Sequence, residues 1–481
     1  MPHAPDRPRA APRRPLRAFA LAAACLAAVL AATPAAAHTR LQSSTPAAGS
    51  AVGDSLREVR LRFTRPVSDD LTRLVLMLGT DTVAAGNLGV VPGTDGTEYA
   101  FALPARLRPG AYVVHWRTAG ADGHVIRGDF AFTVEGDTTA AAPDSSTGAA
   151  AAGATAGLPG TPEAVEAGGS GTSSPAAGVL PVLVRWGGFL ALLGMIGAVA
   201  FYLFVLRRLR GDAVPERVVD RAAYGAWYLA AGAAALSALT LALRLWIQSA
   251  QLNGAAGAFE SANLDTLLTG TTWGGAWILQ AIATVAFFVG LMVARAPHGR
   301  SVGWLGAAAA AVLVSAVPAL SGHAASEERL TALAIASDTL HVLGAGVWMG
   351  TLAAVLAAGL PAAASAPGDD GVPAFAAMVR AFSPVALVGA GAAAATGIVN
   401  SLFHVNAPGE LFGTSYGLVL LLKLALLGVV AALGFYNWRR VLPDLDGEKS
   451  HARLRRSAGT ELAVGTVVVL VTAVLVALPT P

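Results

Sequence analysis

From Gly178 to its C-terminus the chain is a succession of eight apolar stretches, roughly 178–206, 222–250, 271–294, 302–321, 330–358, 381–403, 415–438 and 457–478. Each is long enough to cross a bilayer core of about 30 Å as a helix. Inside lipid every backbone N–H and C=O must be satisfied internally, so such stretches have few alternatives to helix. The expected fold of this half is an all-α polytopic membrane bundle of eight transmembrane helices. The connections test the count. Those on one side of the bundle hold fourteen Arg and Lys residues and those on the other hold one, Arg329. The positive-inside rule then places both mature ends outside the cytoplasm, in a multi-pass inner (plasma) membrane protein whose N-terminal domain and C-terminus face the periplasmic or extracellular side.

Residues 1–37 read as a secretory signal: an Arg-rich start, an apolar run from Ala18 to Ala32, then Ala35-Ala36-Ala37. Arg13-Arg14 hints at twin-arginine export, but the flanking prolines fit a plain secretory signal better. Cleavage after Ala37 leaves His38 with a free α-amine, which can chelate a metal together with its own ring. Downstream, Asp122-Gly123-His124 offers a carboxylate and a second imidazole. Three nitrogens and an oxygen suit a tetragonal Cu(II) ion. Met77 is the only Met of this part, so a soft Cu(I) site is not expected there.

Between these ligands the residues alternate in the manner of strands. Leu56–Phe63, Thr72–Gly79, Thr97–Leu103, Gly110–Thr118 and Gly128–Val134 are separated by Gly, Pro and Asp. An antiparallel sandwich or barrel over residues 38–136 is expected. Tyr112 and Trp116 share strand parity and read as core, whereas His115 points to the opposite face and reads as surface. Residues 137–177 are rich in Ala, Gly, Ser, Thr and Pro without periodicity and read as a flexible linker to the membrane bundle at 178–481.

The single Cys25 lies in the signal, so thiolate sites and disulfides are excluded from the mature chain. The basic residues are scattered or confined to short connections, which gives no footprint for nucleic acid. No G-x-x-x-x-G-K-[ST] loop is present for ATP.

Three histidines belong to the outer half of the bundle. His323 ends the fourth stretch, His404 ends the sixth, and His341 lies within the fifth. Asp338 precedes His341 by three residues, which puts both on one helix face. Ionisable side chains inside a membrane are costly and mark a functional path by default. The competing reading of such a His is a hydrogen-bonded helix contact or a protonation site. Arg185 and Arg244 also fall in outer halves, with Asp338 or Asp265 as candidate partners. Lys423 reads as snorkelling to the interface, Glu461 as an interfacial residue, and Met349 as a packing residue.

These residues carry a resemblance. His38, Ser44-Thr45-Pro46-Ala47-Ala48-Gly49-Ser50, Gly110-Ala111-Tyr112 leading to Trp116, and Ala121-Asp122-Gly123-His124 followed by Gly128-Asp129-Phe130-Ala131-Phe132 resemble the CopC family of periplasmic copper-binding proteins. That resemblance implies an Ig-like Greek-key β-barrel or sandwich with one Cu(II) site from the amine and ring of His38, from His124 and from Asp122. The Met-rich Cu(I) region of some members is absent. Ser321-Gly322-His323-Ala324, Asp338-Thr339-Leu340-His341 with Gly346-Val347-Trp348-Met349-Gly350, Phe382-Ser383-Pro384, Tyr416-Gly417 before Lys423, and Glu461 resemble the CopD family of copper-resistance membrane proteins. Fusion of the two implies copper handling at the inner membrane.

The expected function is capture of Cu(II) outside and movement of copper inward, with His323, Asp338, His341 and His404 as a membrane copper path. The alternative is periplasmic sequestration, or delivery to a membrane cuproenzyme, without transport. The expected partners are copper ions, the bilayer and periplasmic copper proteins. An enzyme is not expected: paired histidines at two depths, which two haems would need, are not seen.

Overall fold

The computed structural model describes residues 39–120, 125–136, 178–210, 214–296, 298–321, 331–366, 370–404, 409–441 and 448–478. The proposed signal at 1–37 and the linker at 137–177 lie outside them. The chain divides into two compact units, one within His38–Ser174 and one within Pro175–Pro481.

The first unit is all β. Its strands are β1 (Leu41–Thr45), β2 (Ala51–Gly53), β3 (Glu58–Phe63), β4 (Arg73–Leu78), β5 (Asp81–Asn87), β6 (Gly89–Val90), β7 (Glu98–Ala102), β8 (Gly110–Ala119) and β9 (Val125–Glu135). A four-stranded sheet runs β1-β3-β7-β6 and a five-stranded sheet runs β2-β9-β8-β4-β5. Period-2 alternation drives the stacking of the sheets: Val59, Leu61 and Phe63 of one sheet and Leu74, Leu76, Tyr112, Val114 and Trp116 of the other are buried in a single shared core. Phe63 meets Trp116 edge to face at 5.5 Å, and Tyr112 stacks on Phe132 at 5.6 Å. His115 is exposed on the outer face, as its parity requires. The five expected strands are present. The structure adds β1, β2, β5 and β6, whose sequences show no clean alternation. The β4–β5 hairpin turns on Gly79, whose φ of 59° belongs to the left-handed region that other residues avoid.

Among the described residues the second unit has eight helices long and apolar enough to cross a membrane: α1 (Val179–Leu209), α2 (Glu216–Gly257), α3 (Thr272–Arg295), α4 (Arg300–Leu320), α5 (Ala332–Ala364), α6 (Gly371–Leu402), α7 (Ser415–Arg440) and α8 (Arg453–Leu475). All eight expected stretches are represented. Consecutive helices run antiparallel, so the odd-numbered ones begin at the end where the chain enters from the linker, the linker end. α1 is the most enclosed helix and α7 the least. α5 carries two π-helical segments, Gly346–Gly350 and Val355–Gly359. Close backbone crossings fix the interior. A Cβ on Gly344 of α5 would lie 2.8 Å from Gly389 O and from Ala393 N of α6, and a Cβ on Gly290 of α3 would lie 2.7 Å from Ala307 N of α4. Small residues at such points let helices approach in the absence of a hydrophobic drive. At the other end Asp220 accepts hydrogen bonds from Arg300 at 2.8 Å and from Arg210 at 3.1 Å.

Candidate copper sites

In the β unit the sequence-expected ligands His38, Asp122 and His124 lie outside the described residues. The strands that lead to them are described. Arg40 exchanges two hydrogen bonds with Thr64: its N–H donates to Thr64 Oγ1 at 3.0 Å and its carbonyl accepts from Thr64 N at 2.9 Å. At the far end of β8, Gly120 bridges to Val67, and Ser68 N donates to Ala119 O at 2.9 Å. The segment from Thr64 to Val67 therefore ties the start of β1 and the end of β8 to the same end of the sandwich. Its three steps can span at most about 10 Å. Residue 38 is two steps from the first anchor, and 122 and 124 follow the second within the β8–β9 connection. Tyr99 reinforces this end by donating to Asp69 Oδ1 at 2.6 Å and to Val67 O at 2.7 Å. Burial and the Asp69 carboxylate push the Tyr99 hydroxyl pKa above its ordinary value, so it remains a donor.

Arg73, Arg117 and Arg127 stand directly opposite one another across β4, β8 and β9. Burial, and then the charges of Arg73 and Arg127, hold the Arg117 pKa below its usual value. This basic row is a second electrostatic feature of the same hairpin.

In the bundle the structure brings Asp338 and His341 of α5 against α6. The Gly344–Gly389 crossing sets the depth, and one turn toward the linker end His341 Nδ1 lies 2.8 Å from the Ala393 carbonyl oxygen. Gly397 clears the space for the imidazole: a Cβ there would sit 3.2 Å from His341 Cε1. Thr396 Oγ1 is 3.4 Å from the same nitrogen, and Ser337 Oγ donates to Thr396 O at 3.3 Å. A further turn toward the linker end, Asn400 Nδ2 donates to Asp338 Oδ1 at 3.3 Å. Lys423 of α7 is half-buried. Residue 323 lies outside the described residues. His404 is the last residue of the helix that contains α6, and its side chain is not described. Among the described residues no group of three or more His, Cys, Asp or Glu gathers in metal-binding proximity.

Other membrane expectations are corrected. Arg185 donates to Ala473 O of α8 at 3.1 Å, and Arg244 to Gln280 Oε1 of α3 at 3.1 Å, in place of the expected Asp338 or Asp265. Glu461 is only 5% exposed and accepts from Asn437 Nδ2 at 3.2 Å, so it is packed between α7 and α8. Met349 is buried with Val430 and Val468, as a packing residue should be. Thr396 joins the site only through the fold, because a β-branched hydroxyl in an Ala-rich helix carries little signal until its neighbour across the interface is known, whereas Asn400 stands out in the sequence as a polar residue in the outer half of its span.

Comparison with known proteins gives matches along most of the chain. Residues 41–135 match the CopC domain, 176–333 the N-terminal domain of copper resistance protein D-like proteins, and 376–475 copper resistance protein D. The copper transport protein CutJ of Bacillus subtilis (strain 168) is 26% identical over 457 residues, covering 92% of this chain and 75% of that protein. Among solved structures, CopC from Methylosinus trichosporium OB3b is 27% identical over 22% of this chain and 100% of its own, with a TM-score of 0.20. PcoC, a methionine-rich copper resistance protein from Escherichia coli, is 29% identical over 21% of this chain and 100% of its own, with a TM-score of 0.18.

Proposed function

The chain is a CopC–CopD fusion, a multi-pass membrane protein that handles copper, and from this premise we propose that it captures Cu(II) outside the cytoplasm and moves copper across the inner membrane. The amine and ring of His38, the ring of His124 and the carboxylate of Asp122 hold the captured ion. The linker keeps the loaded domain at high local concentration beside the membrane, which speeds supply without altering the driving force. The bundle then carries copper inward past His323, His404, Asp338 and His341. In this reading the β unit and the C-terminus lie outside, the arrangement that the loop charges favour.

One observation carries the membrane part: the contact of His341 Nδ1 with the Ala393 carbonyl. A carbonyl oxygen only accepts, so Nδ1 carries a proton, and in the neutral ring Nε2 then keeps its lone pair. Metal-binding histidines use this arrangement, in which the distal N–H is anchored on a carbonyl and the other nitrogen ligates. Asp338 on the same face adds a hard oxygen, and Asn400 orients it.

The test is the copper content of cytoplasm and periplasm in cells expressing the intact protein or His341→Ala at equal levels. The intact protein should raise cytoplasmic copper and the variant should not. If both leave cytoplasmic copper unchanged while periplasmic copper rises, transport fails and the protein is a tethered copper store or donor.

A further inference from the structure

Away from the candidate copper path, two arginines face each other inside the bundle. α1 and α2 are antiparallel and touch where Gly188 meets Thr240; a Cβ on Gly188 would lie 3.5 Å from Thr240 Oγ1. One turn toward the linker end from that contact stand Arg185 on α1 and Arg244 on α2. The Gly188–Thr240 contact therefore sets two cations at the same depth on neighbouring helices. Each makes one hydrogen bond to a neutral acceptor: Arg185 to Ala473 O and Arg244 to Gln280 Oε1, both at 3.1 Å. Among the described residues neither has a carboxylate partner. Guanidinium does not shed its proton in a protein, so deprotonation cannot remove either charge. Two neighbouring, half-buried cations without a carboxylate partner are unfavourable in a membrane unless something anionic completes them.

The surroundings provide a way in. Beyond Arg244, α2 presents Gln248 and Gln251 at one-turn steps, a half-buried polar stripe that leads to the linker end. On α3, one turn from Gln280, Trp277 donates its indole N–H to Leu241 O of α2 at 3.0 Å. Each guanidinium uses one of several N–H donors, arranged in a planar fork that matches an oxyanion.

The geometry points to an anion-binding site between α1, α2, α3 and α8, in which Arg185 and Arg244 together hold a phosphate-type oxyanion. The anion comes either from a phospholipid headgroup or from free solution. This site is separate from the proposed copper path and does not depend on it.

The test uses the full chain in lipid nanodiscs. In discs of phosphatidylcholine alone, calorimetric titration with inorganic phosphate reads free-anion binding. In discs containing phosphatidylglycerol, native mass spectrometry after release reads lipid that stays bound. One of the two arms should show a single saturable ligand per chain, at least tenfold weaker in Arg244→Gln. Phosphate binding assigns the free anion as the source, and retained phosphatidylglycerol assigns the headgroup. If Arg244→Gln does not fold, Arg185→Lys and Arg244→Lys supply the comparison, since they keep the charge and remove the fork; each should weaken binding severalfold. Absence of binding in both arms for the wild type overturns the site. So does binding that is equal in wild type and folded variants.

Discussion

Gly350 of α5 and Gly197 of α1 cross backbone on backbone. A Cβ on Gly350 would lie 2.9 Å from Gly197 Cα and would collide with the carbonyl oxygen of Leu193. Thr351 Oγ1 then donates to Gly197 O at 3.4 Å. This contact locks the helix that bears Asp338 and His341 to the most enclosed helix of the bundle, so the candidate copper path is built on a rigid element.

Gly350→Ala should therefore cost on the order of 1–3 kcal/mol through overpacking against α1. Thermal unfolding in detergent measures it. An unchanged midpoint would mean that the helices separate without penalty and that the crossing does not hold α5 in place.

Asn400→Leu removes the donor that orients the Asp338 carboxylate while keeping a similar volume. If that carboxylate touches copper in transit, uptake should fall roughly 10–100-fold, the usual effect of losing a partner that orients a ligand. Radioactive copper uptake at matched protein levels reads this directly. Normal uptake in Asn400→Leu together with normal uptake in Asp338→Asn would remove the carboxylate from the path.

Gly128 of β9 lies opposite Trp116 of β8, and a Cβ there would fall 2.7 Å from the indole Cζ2. Gly128→Ala must displace a ring packed edge to face on Phe63. A loss of about 1–3 kcal/mol in β-unit stability is expected from denaturant unfolding followed by tryptophan fluorescence. A near-neutral result would show that the Trp116 rotamer has room to move.

If the His38 amine ligates Cu(II), one residue retained before it changes the coordination. A mature chain that begins at Ala37 should bind Cu(II) more weakly by about tenfold or more, and the electron paramagnetic resonance parameters should change with it. Identical spectra for the two chains would exclude the terminal amine as a ligand.

The Asp220 staple offers a contrary expectation. Its partners Arg210 and Arg300 are 40% and 39% exposed, and Asp220 itself is 48% exposed. Asp220→Asn should change stability by less than about 1 kcal/mol despite removing two ion pairs, because solvent screens exposed pairs. A larger loss in the detergent melt would show that this end is more shielded than its exposure indicates.

Much of this architecture is legible in the amino-acid sequence. Eight helices follow from the length of apolar runs, and β3, β4, β7, β8 and β9 follow from alternation, because both signals are local. β1 (Leu-Gln-Ser-Ser-Thr) and β5 (Asp-Thr-Val-Ala-Ala-Gly-Asn) are not legible, because their place in the sheets is set by pairing with β3 and β4. Their own residues have little strand preference. Asp338 and His341 stand out as ionisable groups in an apolar helix. The Ala393 carbonyl does not, since any backbone oxygen looks alike in sequence and only the Gly344–Gly389 approach selects this one.

The brace from Thr64 to Val67 has a mechanical consequence. It joins the start of β1, in one sheet, to the end of β8, in the other. An ion held by His38 on one side and by Asp122 and His124 on the other would act as a removable crosslink between the sheets, closing a loop that takes in most of the sandwich. Loading would stiffen the β unit and unloading would slacken it, because a ligand that binds only the folded state stabilises that state. The melting temperature of this unit would then serve as a gauge of its cargo, rising on capture and falling when copper is handed on.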